Sequence, residues 1–180
     1  MMRKILIVID MQNDFVTGAL GSQDAQNILR NVREKIDTYV AEASEVIFTR
    51  DTHDKDYMQT NEGRHLPVAH CIRGTEGWQI CTCLTEGLTS AYPLIDKPTF
   101  GYVDWKAVIK SEQADGGDLR IELVGVCTDI CVVSNALILK ALYPEADVLV
   151  DADCCAGVTR ESHEAALMTM KACQVEVLNG

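Results

Sequence analysis

Among the eight cysteines of the chain, one stands where a nucleophile would be placed. It is Cys131, in the stretch Gly125-Val126-Cys127-Thr128-Asp129-Ile130-Cys131-Val132-Val133. The apolar run from Leu119 to Val126 reads as a buried strand, and the segment after the turn meets no breaker until Tyr143-Pro144. That pattern is a strand, a tight turn and a helix, with Thr128 or Asp129 as N-cap. Cys131 then falls in the first helical turn, where free N–H groups and the helix dipole favour a thiolate. Two more residues supply what a thiol needs. Asp10 follows the apolar run that ends at Ile9, and Lys97 closes a short apolar run before Pro98. An ammonium group lowers the pKa of a thiol, while a carboxylate takes its proton and can return it to a leaving amine. The chemistry this suits is acyl transfer to cysteine followed by hydrolysis. Each residue also has a plainer reading: Asp10 as a brace for the next loop, Lys97 as a surface charge.

A second group lies in the long polar segment from Asp51 to about Cys83, which holds three of the four histidines. Segments of this length inside a compact domain are usually functional. Asp51 and His53, two apart on extended backbone, can point the same way, and Glu62 and His70 complete an Asp/His/Glu/His set. Such a set suits zinc or another first-row ion with positions left for water or substrate. A solvated loop with incidental histidines has the same spacing. His65 has no assigned part, and His163 reads as solvated.

These residues must be carried by strand ends. Lys4–Ile9, Glu45–Thr49, Ala91–Lys97, Leu119–Val126, Ala146–Val150 and Val175–Leu178 read as strands, the first buried on both faces as in a parallel sheet. Residues 23 to 42 carry Ile28, Leu29, Val32, Ile36, Tyr39 and Val40 at helical spacing. A short helix is expected over 104 to 113, and one capped by Thr159 before the last strand. Alternating strands and helices predict a single α/β domain over 1–180, in three α/β/α layers around a mainly parallel six-stranded sheet. Ligand sites of such sheets lie at the C-terminal ends of the strands, where Asp10, Asp51, Lys97 and Cys131 all fall. Phe100, Tyr102 and Trp105 could wall a pocket there or simply fill the core.

A net charge of −11 without a basic run argues against nucleic acid and anionic membranes as partners. With no apolar run of spanning length and no leader pattern, the cysteines read as reduced thiols of a cytoplasmic protein. None has paired Cys-x-x-Cys zinc spacing, and Cys154 and Cys155 have no assigned role.

The chain resembles the isochorismatase-like cysteine hydrolases, and within them the nicotinamidases. The resemblance rests on Ile9-Asp10-Met11-Gln12-Asn13-Asp14-Phe15, Arg50-Asp51-Thr52-His53, Pro67-Val68-Ala69-His70-Cys71, Asp96-Lys97 and the turn ending at Cys131. It implies a triad of Asp10 as acid/base, Lys97 as charge partner and Cys131 as nucleophile. It also implies a cis peptide between Val126 and Cys127, and an oxyanion hole from the amides of Cys127 and Cys131. It implies one divalent ion, zinc first with iron or manganese as alternatives, held by Asp51, His53, Glu62 and His70. The substrate would be a small amide, nicotinamide, in pyridine nucleotide salvage, walled by Phe15 and by Phe100 or Tyr102. The chain departs from many relatives in carrying Cys127 where a small residue such as Ala is common. A homo-oligomer that completes the sheet edge is a further expectation. Two other readings stand beside this one. A metal-independent amidase for another small amide or an N-carbamoyl compound would ignore chelators. A non-catalytic metal- or redox-sensing protein would leave Asp10 and Lys97 unexplained.

Overall fold

The computed structural model describes residues 2–88, 92–113 and 115–180. Six parallel strands form one sheet: β1 (Arg3–Ile9), β2 (Glu45–Asp51), β3 (Leu94–Lys97), β4 (Leu119–Val126), β5 (Asp147–Ala156) and β6 (Glu176–Leu178). Their order is β3-β2-β1-β4-β5-β6, so β1 and β4 are central and the order reverses beside β1. Ligands bind at such a reversal, outside the carboxyl ends of the strands.

The continuous apolar run of β1 has its cause in the two faces of the sheet. Ile5, Ile7 and Ile9 pack on one face with Trp105, Leu139, Leu167 and Met170. Leu6 and Val8 pack on the other with Val32, Ile36 and Leu84. All five are fully buried, each contributing about 1.5–3 kcal/mol against exposure. The three-layer expectation holds: the helices Val133–Leu142 and Arg160–Ala172 cover one face and Leu29–Ala41 the other.

Several local expectations are corrected. The helix expected over 23 to 42 is two, Gln23–Asn27 and Leu29–Ala41, joined at Ile28. The helix expected over 104 to 113 is one turn, Trp105–Val108, because Ile109 is already extended. β5 runs on to Ala156, so Cys154 and Cys155 are buried strand residues. β3 starts at Leu94; Ala91, its expected first residue, lies outside the described residues. Thr159 caps its helix as expected, accepting from the Ser162 amide. Among the described residues no helix is long and apolar enough to cross a membrane.

The turn after β4 differs most from expectation. Neither Thr128 nor Asp129 acts as N-cap; the turn Thr128–Val132 is widened by one residue, and the α-helix begins at Val133. Such widened turns are frequent at functional sites. Thr128 Oγ1 instead lies 2.8 Å from His163 Nδ1, and Asp129 Oδ1 accepts from the Val158 amide at 3.0 Å. His163 therefore braces the turn rather than standing in solvent. The peptide bond between Val126 and Cys127 is cis. Gly125 has φ +118°, and a Cβ there would stand 2.1 Å from the Ile9 carbonyl oxygen. Only glycine lets β4 run this close to β1.

Candidate active site

Four strand ends meet. β1 ends at Ile9, and Asp10 leaves the sheet with φ +49°. Its backbone N–H donates to Thr49 Oγ1 at 3.2 Å, and the same hydroxyl donates to Asp10 Oδ1 at 2.7 Å. The other carboxylate oxygen lies 2.6 Å from Lys97 Nζ, with both side chains fully buried. Lys97 Nζ also lies 3.5 Å from Cys131 Sγ and 3.5 Å from Asp51 Oδ1, and donates to the Thr99 carbonyl at 3.2 Å. One buried ammonium group therefore touches Asp10, Asp51 and Cys131.

Lys97 stays protonated: burial works against its charge, but Asp10, Cys131 and Asp51 raise its pKa above the ordinary lysine value. Burial, only partly offset by Lys97, pushes the Asp10 carboxyl up from the usual carboxylate range. Burial and then the Asp10 carboxylate push the Cys131 thiol well above its ordinary value. This runs opposite to the lowering expected from Lys97 and the helix start. Buried beside a carboxylate, Cys131 keeps its proton, and Asp10 is the group within reach to take it. The Cys127 thiol is likewise pushed up to about 12, mainly by burial.

The Asp/His/Glu/His set is brought together. The ligand-type atoms of Asp51, His53, Glu62 and His70 all lie within 4.8 Å of one another. His53 Nε2 is 3.0 Å from Asp51 Oδ2 and 3.5 Å from Glu62 Oε1; His70 Nε2 is 3.6 Å from Asp51 Oδ2. His70 Nδ1 faces the Val68 carbonyl at 2.8 Å, which turns Nε2 toward the group. Although burial opposes it, His53, His70 and Lys97 hold Asp51 well below the usual carboxylate range, so it is ionised and able to bind a cation. Two imidazoles and two carboxylates converging in this way fit a first-row divalent ion.

A cavity of about 510 Å³ is lined by residues of both groups, Cys127 and Cys131 together with Asp51, Glu62 and His70. Phe15, Leu20, Leu66, Phe100, Ile130 and Val158 make its apolar walls. Asp10 and Lys97 lie beneath this surface, fully buried. Of the expected walls, Phe15 and Phe100 are present. Tyr102 is not, because its ring packs edge-on against Trp105.

Some residues went unnoticed in the sequence. Thr49 grips Asp10, Tyr57 packs against both His53 and His70, and Asn135 fastens the Cys131 carbonyl and the Trp105 indole. Gln12, within a stretch that the motif did flag, bonds the backbone of Asp51. Thr49 and Gln12 carry no spacing signal, because each acts on a residue that the sheet brings beside it from 39 positions away.

A doubly wound sheet with cysteine, lysine and aspartate at its carboxyl edge and a four-residue cation cradle beside them defines a class, the isochorismatase-like hydrolases. The model of the isochorismatase domain matches residues 4–180, and the chain belongs to that family. It is 26% identical to the nicotinamidase/pyrazinamidase of Mycobacterium tuberculosis, over 97% of this chain and 98% of that one. The crystal structure of the nicotinamidase/pyrazinamidase of Bacillus subtilis superposes with a TM-score of 0.85 at 26% identity, covering 99% of this chain and 100% of that one. The pyrazinamidase of Pyrococcus horikoshii in complex with zinc gives 0.81 at 26% identity, covering 99% of each chain.

Proposed function

We propose that this chain is a nicotinamidase, hydrolysing nicotinamide to nicotinate and ammonia through a thioester on Cys131. The observation that carries this reading is one cavity lined by Cys131 and also by Asp51, Glu62 and His70, three of the four residues of the cradle. A divalent ion held by those four residues, zinc in the first place, would supply a Lewis acid that takes up the ring nitrogen.

The chain's own residues supply the rest. Phe15 and Phe100 hold the ring in the apolar part of the cavity. Asp10 takes the Sγ proton, and Lys97, at 3.5 Å, stabilises the thiolate as it forms. Cys131 then attacks the carboxamide carbon. The Cys127 carbonyl accepts from the amides of Ile130 and Val132, and among the described residues the Cys131 N–H is not one of its donors. As the family resemblance implies, the amides of Cys127 and Cys131 are the groups that would receive the developing oxyanion. Asp10 gives its proton to the departing ammonia, and later takes one from the water that cleaves the thioester.

Purified protein supplied with zinc and nicotinamide should release ammonia, and Cys131→Ala should abolish the release. Dialysis against EDTA, or His53→Ala, should remove most of the activity, with zinc restoring the dialysed enzyme. No turnover of nicotinamide by the zinc-supplied protein sinks the substrate assignment. Turnover indifferent to EDTA moves the chain to the metal-independent amidases.

A further inference from the structure

Asp51 sits at a place where the sheet has run out of strand. Pairing between β1 and β2 extends as far as Val8 opposite Phe48, because β1 turns away at Asp10. On its other side β2 remains held, with Asp51 in register with Lys97 of β3 and the Thr52 amide donating to the Lys97 carbonyl at 3.0 Å. The N–H and C=O of Asp51 that face β1 would be orphaned in the interior, which is costly for buried backbone groups.

The side chain of Gln12 takes the place of the missing strand. Its Oε1 accepts from the Asp51 amide at 2.7 Å, and its Nε2 donates to the Asp51 carbonyl at 2.9 Å. The remaining Nε2 hydrogen goes to the Trp78 carbonyl at 2.9 Å, and Gln12 is fully buried. The backbone of Gln12 is fixed as well, bridged to Ile80 and flanked by the Cys81 amide donating to the Met11 carbonyl. Two residues on, Asp14 Oδ2 accepts from the Cys71 amide at 2.7 Å, next to His70. The segments bearing His53 and His70 are also tied together, the His53 amide donating to the Cys71 carbonyl and the Arg73 amide to the His53 carbonyl.

We infer that Gln12 is a positioning residue for the metal cradle, acting as a one-residue strand that fixes the backbone of Asp51 and through it the carboxylate that faces His53, His70 and Lys97. The proposal rests on the metal reading given above. Gln12 touches neither the cavity nor any ligand-type atom; it acts only through the main chain of Asp51. Partners of this kind set how well a site is formed before the ion arrives, and their loss typically weakens metal binding ten- to a hundredfold.

The test is zinc affinity, measured without substrate by competition with a chromophoric chelator. Gln12→Met keeps most of the buried volume and removes all three hydrogen bonds; circular dichroism and melting of the metal-free form establish that it folds. A loss of zinc affinity of tenfold or more supports the proposal. A smaller loss in the folded variant overturns it, even if the melting temperature falls, since that is what a merely structural glutamine would do. If Gln12→Met does not fold, Gln12→Asn decides on the same criterion. It keeps the amide but is one methylene too short to reach both Asp51 groups and Trp78. Failure of the parent protein to bind zinc overturns the metal reading and the proposal together, whereas a zinc-binding parent with equally competent Gln12 variants overturns only the latter.

Discussion

Replacing Lys97 by Met should separate electrostatics from mere packing at this site. Met keeps an unbranched side chain in the same space and removes the one ammonium that touches Asp10, Asp51 and Cys131. At 3.5 Å, the attraction between ammonium and thiolate is about 5 kcal/mol with an effective dielectric constant near 20. Loss of Lys97 also makes Asp10 a stronger base, which returns part of this. A net loss of about 4 kcal/mol corresponds to a fall of roughly 10³ in kcat/KM for nicotinamide. The same change leaves buried carboxylates uncompensated, a cost of about 3–5 kcal/mol in stability. Asp10→Asn combined with Lys97→Met removes both charges of the closest pair, and should recover much of that stability without recovering activity. The assays are ammonia release and urea denaturation of the parent, the single variant and the double variant. A folded Lys97→Met enzyme with kcat/KM within tenfold of the parent would refute the electrostatic role.

Other outcomes follow from the same geometry. Thr49→Val removes the hydroxyl that donates to Asp10 at 2.7 Å. A hydrogen bond to a charged group contributes about 1.5–3 kcal/mol, so the acidic limb of the kcat/KM profile should move up by roughly 1–2 pH units. An unmoved limb excludes Asp10 as the group titrating there. Stability should also fall in alkali. Burial raises the thiol pKa of both Cys131 and Cys155 above the ordinary value, so the native state holds these protons when the unfolded chain has released them. Their contribution is intact below the unfolded thiol pKa of about 8.5 and is lost as pH rises above it, the part due to Cys155 by about 1.4 kcal/mol at pH 9.5. Urea midpoints at pH 7.5 and 9.5, with Cys155→Ala as control, measure it; equal midpoints refute the assignment.

Much of the fold was legible because a strand buried on both faces leaves a mark in one dimension. Ile5 to Ile9 are apolar without interruption, since alternate residues serve opposite layers, and the other five strands followed from similar short runs. What misled was local. The spacing of residues 23 to 42 does not distinguish one helix from two that meet at Ile28. Thr128 and Asp129 have the right chemistry for an N-cap, but His163 and the Val158 amide, from the far end of the next βα unit, claim their side chains instead. Tyr102 has the right type for a pocket wall, yet its ring packs edge-on against Trp105 and its amide is held by Asn135.

By itself, then, the sequence determined the residue types near the strand ends: an acid after β1, an acid closing β2 with a histidine beyond it, a lysine closing β3, a cysteine after β4. Only the tertiary structure decided the state of those groups. A thiol near a helix start is a thiolate candidate in one dimension. In three dimensions Cys131 is buried beside the Asp10 carboxylate, and desolvation together with that charge outweighs Lys97 and raises the thiol pKa. The same holds for Gln12, whose part exists only because β1 leaves the sheet before β2 does. Proton affinity and backbone satisfaction depend on what surrounds a group in space, and those neighbours are dozens of residues away along the chain.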